Sequence, residues 1–237
     1  MDVRPLEADA RRRTIVSAGQ PVPLAAARAA ADALRELLEP ACARVEIAGS
    51  IRRRKATVGD LELVAIPRLV PEPAGDLWGT LRERDLLAER VATLIAAGEL
   101  APREVTITRA DGSIEQGRRM GRAYLALVFR ELPVDLFIVH PPAEWGVLFA
   151  LRTGPGDWNV RLVTECRRYL RRVASGQVLT AAGPIACPEE ADFFRALGQP
   201  WLDPWERRPE CVRIDPRLLS ETGPAPAPAA PDVEPRS

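Results

Sequence analysis

The run Leu61-Glu62-Leu63-Val64-Ala65-Ile66 is apolar apart from one acid, a second acid, Asp60, stands just before it, and Pro67 closes it. A short apolar run between Gly59 and a proline reads as a buried strand, here over 60–66. Side chains alternate along a strand, so Asp60 and Glu62 project from the same face. Two carboxylates side by side repel each other unless cations neutralise them. Hard oxygen ligands at this spacing suit Mg²⁺ or Mn²⁺. Just upstream lie a Gly49-Ser50 turn and the basic run Arg52-Arg53-Arg54-Lys55. Ser50 and Arg53 are suited to holding phosphates through backbone N–H groups, a hydroxyl and a guanidinium. Phosphate donors beside a divalent metal site point to phosphoryl or nucleotidyl transfer.

A third carboxylate sits in a second strand-like run, Leu132-Pro133-Val134-Asp135-Leu136-Phe137-Ile138-Val139. An acid inside β-formers is not there for packing. If this strand lies beside the first, Asp135 joins Asp60 and Glu62 in one cluster.

The remaining elements follow from periodicity and punctuation. A helix is expected from Pro23 to Leu38, then a strand over Ala43–Ala48 that delivers the Gly49-Ser50 turn. A short helix from Ser50 would turn its N-terminal dipole toward the phosphates. A longer helix is expected from Leu77 to Ala97, stopped by Gly98. Val105–Ile107 and Ser113–Glu115 flank Asp111-Gly112, a hairpin signal. Strands over 124–129 and 132–139 complete a mixed sheet with helices on one face, an α+β fold. From Asp157 the pattern is helical again, with Val163, Cys166, Leu170 and Val173 as its apolar stripe. Arg161, Arg167, Arg168, Arg171 and Arg172 occupy much of the rest of that helix, a candidate DNA-backbone face. Arg103, Arg109, Arg118, Arg119 and Arg122, around the hairpin, are read the same way.

With 237 residues the chain can bury a sizeable core. The formal net charge is zero, so nucleic-acid binding would have to rest on local basic clusters. No run reaches the length of a membrane span, and the four scattered cysteines, Cys42, Cys166, Cys187 and Cys211, lack the spacing of zinc or redox sites. They read as reduced thiols of a cytoplasmic protein. Residues 1–20 are expected to be a loosely ordered segment and 216–237 a disordered Pro/Ala-rich tail, including Pro224–Pro228.

Several ordered landmarks carry a resemblance. Gly49-Ser50-Ile51-Arg52-Arg53 followed by Gly59-Asp60-Leu61-Glu62 is similar to the Gly-Ser…Gly-Asp-x-Asp signature of the family X, polymerase beta-like, DNA polymerases within the nucleotidyltransferase superfamily. Val134-Asp135-Leu136 resembles the strand that carries that family's third metal-binding Asp. Thr153-Gly154 with Asn159-Val160-Arg161 is similar to the Thr-Gly…Asn segment that opens its thumb. Phe193–Gly198, Pro200-Trp201-Leu202 and Pro204 resemble the segment that closes it. The resemblance spans about residues 23–210 and looks like a short bacterial or phage branch with palm and thumb only.

The resemblance implies a nucleotidyltransferase palm over 21–150 and a small thumb over 151–215. It implies two Mg²⁺ (or Mn²⁺) ions held by Asp60, Glu62 and Asp135. Gly49, Ser50, Arg53, Gly59, Thr153, Gly154 and Asn159 would bind a nucleoside triphosphate, and Arg118, Arg119, Arg161, Arg167 and Arg168 a DNA primer-template. The implied reaction is nucleotide addition to a primer 3′-hydroxyl, with a repair role in view. Three positions depart from the family pattern. Glu62 stands where Asp is usual, and Leu151-Arg152 replaces a Tyr-Phe pair that polices the sugar, so weak discrimination between ribo- and deoxyribonucleotides is expected. Pro133 replaces an Arg that orients the carboxylates. With no lyase or helix-hairpin-helix domain ahead of residue 20, two rivals stay open: a template-independent transferase acting on RNA, a protein or a small molecule, and a nucleic-acid-binding protein with a retired site.

Overall fold

The computed structural model describes residues 20–74, 80–108 and 113–220. After a two-residue strand β1 (Val22–Pro23), the Ala- and Leu-rich helix α1 (Leu24–Leu38) buries Ala27, Ala31, Leu34 and Leu38 along one stripe and runs into a short 3-10 turn at Pro40. β2 (Cys42–Ile47) leads into a single helical turn, α2 (Gly49–Arg52), followed by β3 (Thr57–Val58) and β4 (Leu61–Pro67). One turn carries little macrodipole, so α2 contributes no helix-dipole field of the kind expected.

The next stretch differs from expectation. β5 (Leu69–Pro73) pairs antiparallel with β6 (Leu81–Asp85), and α3 (Leu86–Ala96) begins only afterwards. The helix predicted from Leu77 therefore starts nine residues late. Leu81 is 69% exposed and joins no core, and the Asp85 carboxylate caps α3 by accepting from the Ala88 N–H at 2.9 Å. β7 (Ala101–Pro102), the hairpin β8 (Glu104–Thr108) and β9 (Ile114–Arg118), then β10 (Tyr124–Phe129) and β11 (Leu132–Ile138) follow. Asp111-Gly112 and Arg109 lie outside the described residues.

Five strands form the central mixed sheet in the order β2-β4-β11-β10-β7. β4 and β11 are its parallel pair, and its other pairings are antiparallel. Leu61, Leu63 and Ala65 of β4 and Val134, Leu136 and Ile138 of β11 face α1 and α3 and make the main core with them. The opposite face carries Glu62, Val64, Asp135 and Phe137. Helices are therefore not confined to one face. α4 (Trp145–Thr153) lays Trp145 and Phe149 on Val64 and Phe137, one step along the strands from the two acids.

The C-terminal unit has its own core. α5 (Gly156–Glu165) buries Trp158 and Leu162, and the following turn buries Cys166. These pack with Val147 and Ala150 of α4 and with Phe193 and Phe194 of α6 (Glu190–Ala196). Burying a side chain of this size stabilises by about 1.5–3 kcal/mol. The stripe predicted through Leu170 and Val173 is displaced. Helix ends at Glu165, Leu170 turns left-handed and is 80% exposed, and Val173 belongs to a small sheet of β12 (Arg172–Ala174), β13 (Gln177–Thr180) and β14 (Gly183–Ile185). The first residues of the expected disordered tail are ordered. Pro216–Ser220 form a helix, α7, and Leu219 lies against Gly198, whose φ of +70° and lack of a Cβ leave room for it. Residues 221–237, with Pro224–Pro228, lie outside the described residues. Among the described residues no helix is long and apolar enough to cross a membrane. Cys42, Cys166, Cys187 and Cys211 are free thiols. Burial pushes the first three up, to about 12, 11 and 12, which keeps them protonated and unreactive.

Candidate active site

The parallel register of β4 and β11 sets Asp135 directly beside Glu62. Because strand side chains alternate, both point from the same face, and Asp60 precedes them at the mouth of β4. The Gly49-Ser50 turn is tied to this strand by the Ala48 N–H, which donates to the Glu62 carbonyl at 2.8 Å. Gly49 has φ +59°, and a Cβ there would fall 1.8 Å from Glu62 Oε2. Glycine is thus required twice, for the backbone region and for the carboxylate lying against it.

The acids burden one another. Burial first, and then the charge of Asp135, raise the Asp60 carboxyl. Burial and the charge of Asp60 push Glu62 up to about 7. Arg53 opposes both shifts, Arg103 relieves Asp60, and Arg152 relieves Glu62. Asp135 is only 7% exposed and takes two donors on the same oxygen, Oδ1: the Arg103 guanidinium and the Tyr124 hydroxyl, the latter at 2.8 Å. Burial and the Asp135 carboxylate raise the Tyr124 phenol, which holds it as a neutral donor.

Arg103 was expected at a DNA-facing surface. It is instead buried at 7% exposure, and its backbone N–H donates to the carbonyl of Ala126, the residue paired with Asp135. It reaches Asp135 from the junction between β7 and β8, beside β10. Arg152, in one of the two positions without the expected aromatics, lays its guanidinium 3.9 Å over the Phe137 ring and faces Glu62. Neither partnership is written in local sequence. Tyr124 alone had a signal, as a polar-tipped side chain on the face of β10 shared with Ala126.

In the Gly49-Ser50 turn, Ser50 Oγ is buried without a hydrogen-bond partner. Buried hydroxyls are as a rule hydrogen-bonded, so this one stands out. Arg53 Nη1 donates to the Thr153 carbonyl at 2.6 Å, and its buried Nε has no partner. Arg52 is fully engaged. It donates to the Thr153 hydroxyl at 2.8 Å, forks onto Glu190 at 2.8 and 2.6 Å, and lies 4.1 Å over Phe149. Thr153 is therefore fully buried with its hydroxyl taken, and it joins the basic loop to α4. Gly154 fits under Trp158 and Asn159, and the Asn159 amide donates to the carbonyls of Leu151 at 2.7 Å and Gly154 at 3.3 Å. Asn159 fastens the α4–α5 corner, with its Oδ1 left unpartnered.

Among the described residues, no three His, Cys, Asp or Glu side chains are gathered closely enough to form a ready-made metal cage. Glu62 rests on the Gly49 turn, and Asp135 is drawn to Arg103 and Tyr124. The donor set still fits Mg²⁺ or Mn²⁺. Asp60, Glu62 and Asp135 Oδ2 are hard oxygens on one face, and the raised Asp60 and Glu62 carboxyls are what a divalent ion would relieve.

The expected DNA-binding arginines are scattered. Arg118 is exposed on β9, and Arg119 is half-buried behind it. Arg161 and Arg168 both pair with Glu165, at 3.2 and 2.8 Å, and Arg167 is exposed in the same turn. No protein-family model matches this chain, and no curated protein matches it.

Proposed function

We propose that the chain is a metal-dependent nucleotidyltransferase of the polymerase beta-like kind, which adds a nucleotide from a nucleoside triphosphate to a DNA primer 3′-hydroxyl. The observation that carries this reading is the parallel register that sets Asp135 beside Glu62, next to the Gly49-Ser50 turn with its unpartnered Ser50 hydroxyl. Asp60, Glu62 and Asp135 would hold two Mg²⁺ or Mn²⁺ ions. When bound, such ions lower the pKa of an attacking hydroxyl and neutralise charge on a pyrophosphate leaving group. Ser50 Oγ and Arg53 Nε, both buried without partners, serve the β- and γ-phosphates as a hydroxyl and a charged donor. Arg103 and Tyr124 fix one oxygen of Asp135, which leaves Oδ2 free for a metal ion. The palm is the five-stranded unit and the thumb is the unit after α4.

Primer extension tests this directly, with templated DNA, unpaired DNA and RNA as acceptors, each nucleotide, and Mg²⁺ or Mn²⁺. Incorporation on templated DNA that Asp60→Asn abolishes is expected. Transfer confined to RNA or unpaired ends would assign a template-independent transferase. No transfer to any acceptor with either metal would leave a binding protein with a retired site.

A further inference from the structure

The basic loop also lines a pocket of about 420 Å³, to which none of the three acids contributes. Its cations are Arg53, Arg54, Lys55, Arg207 and Arg208, and its aromatic wall is Trp205. Two prolines, Pro155 and Pro204, complete the lining and bring no N–H groups of their own, so the donors are side chains. Of the five cations only Arg207 forms a direct ion pair among the described residues, with Glu190 at 2.8 Å, which Arg52 already shares, while Arg53 also feels the charges of Asp60 and Glu62. Converging like charges raise the energy of an empty pocket and lower that of one holding an anion.

Two further observations narrow the ligand. Arg54 has φ +58°, a conformation that side chains other than glycine adopt at some strain, and this holds its guanidinium 3.6 Å from the centroid of the Trp205 ring. Trp205 is still 41% exposed, so a base or sugar can approach the ring. Guanidiniums fork onto phosphate oxygens, an aromatic face accepts a base, and a volume in the range of small-ligand sites exceeds what a bare phosphate fills.

We infer that this pocket binds the terminal phosphate of a nucleotide, with Trp205 against the adjoining nucleoside. That phosphate belongs either to the 5′ end of a nucleic-acid strand or to a free nucleoside monophosphate. Of the residues assigned to the proposed triphosphate cradle, only Arg53 also lines this pocket.

The test uses the full chain in EDTA, so that the acid site plays no part. Two short DNA strands of one sequence, 3′-labelled and ending in a 5′-phosphate or a 5′-hydroxyl, are titrated by fluorescence anisotropy. Deoxyadenosine monophosphate is titrated by calorimetry. The phosphorylated strand is expected to bind at least about tenfold more tightly, near the lower end of what one charge-assisted hydrogen bond contributes. The double reversal Lys55→Glu/Arg208→Glu, at two exposed positions, should abolish that difference with the thermal melt unchanged. If the reversal perturbs the melt, the neutral pair Lys55→Gln/Arg208→Gln reads the same ratio at smaller amplitude. Equal binding of the two strands, with monophosphate binding that the variant abolishes, makes a free nucleotide the occupant. Equal strand binding together with no variant-sensitive monophosphate binding overturns the proposal. Failure here would leave the transfer reaction untouched, and inactivity in primer extension would leave this pocket untouched.

Discussion

Glu190→Ala should be among the most damaging single substitutions in the C-terminal half, although Glu190 belongs to none of the acids of the proposed metal site. Its carboxylate is 7% exposed and accepts from Arg52 at 2.8 and 2.6 Å and from Arg207 at 2.8 Å, while the Arg207 side chain is wholly buried. Removing it leaves two guanidiniums facing each other without a counter-ion. Loss of one member of a buried pair costs about 3–5 kcal/mol. Glu190→Gln keeps the shape and one acceptor, and should cost about half as much. Burial by itself pushes the Glu190 carboxyl up, but the Arg52 bonds and the Arg207 charge outweigh it, and the net shift is downward from the ordinary 4.5. A depressed carboxyl stabilises the fold above its ordinary value, and that contribution is lost as pH falls through its folded-state value. Urea denaturation should therefore show the full deficit of Glu190→Ala at pH 7 and a narrowing gap in acid below about pH 4.5. The cluster also anchors Arg52, one residue from Arg53, so triphosphate affinity should fall in the same variant. A deficit under about 1 kcal/mol at pH 7, or a gap that does not narrow in acid, would refute this account of the cluster.

Asp60→Ala and Asp135→Ala should both abolish transfer but part company in stability: the first relieves a raised carboxyl and leaves the apo protein as stable or more so, whereas the second strands the buried Arg103 and lowers the melting midpoint, as paired melts will show. Gly49→Ala should destabilise by more than the roughly 1 kcal/mol of an unfavourable φ, because its Cβ meets Glu62 Oε2, and the added change Glu62→Ala should recover part of that loss; no recovery in urea melts would count against the contact. The metal-free wild type should lose up to about 3 kcal/mol between pH 4.5 and just above 7, because a raised folded-state carboxyl stabilises only below its ordinary value; Glu62→Gln should flatten that slope, and an unchanged slope would put its source elsewhere. Mn²⁺ should bind at least about tenfold more tightly with a non-hydrolysable triphosphate present than alone, and equal affinities by calorimetry would speak against coupling of the two ligands.

The sheet was legible because its strands are dense in β-formers and because acids interrupt two of them at positions no core would choose. The β5–β6 hairpin was not. Arg82, Glu83 and Arg84 are good helix formers, and what makes them a strand is cross-strand pairing, with Arg82 and Arg84 reaching Glu72 at 2.6 and 3.7 Å. Only Asp85, three residues ahead of the N–H it caps, marked the true helix start. The β10–β11 turn falls in the two-residue gap between the expected strands, and it is made without Asn-Gly: Arg130 and Glu131 both take positive φ, at 48° and 66°. The three-stranded unit after residue 171 had one usable sign, Ser175-Gly176, both left-handed. For the candidate site, sequence pointed to the acids and the Gly49-Ser50 turn but not to the cations that surround them. Arg103 and Asp135 are 32 residues apart and meet only through β10, and nothing local separates Arg103 from an arginine on the surface.

Those cations give the departures from the resembled pattern a physical logic. Arg53, Arg103 and Arg152 reach the acid cluster from the basic loop, the β7–β8 junction and the end of α4, and each lowers at least one of the two raised carboxyls. A site with about as many guanidiniums as carboxylates does not attract a divalent ion strongly on charge alone. In the proposed reaction a triphosphate would change that balance, competing for Arg53 and bringing phosphate oxygens of its own. Metal and nucleotide would then favour each other, since each would remove part of the other's electrostatic penalty. Glu62 suits such a site better than Asp would. Its extra methylene lets the carboxylate lie back on the Gly49 turn, with Oε2 in the space that a Cβ at Gly49 would take. Gly49 is what makes that position possible, so the glycine of the turn and the glutamate of the strand work as one device.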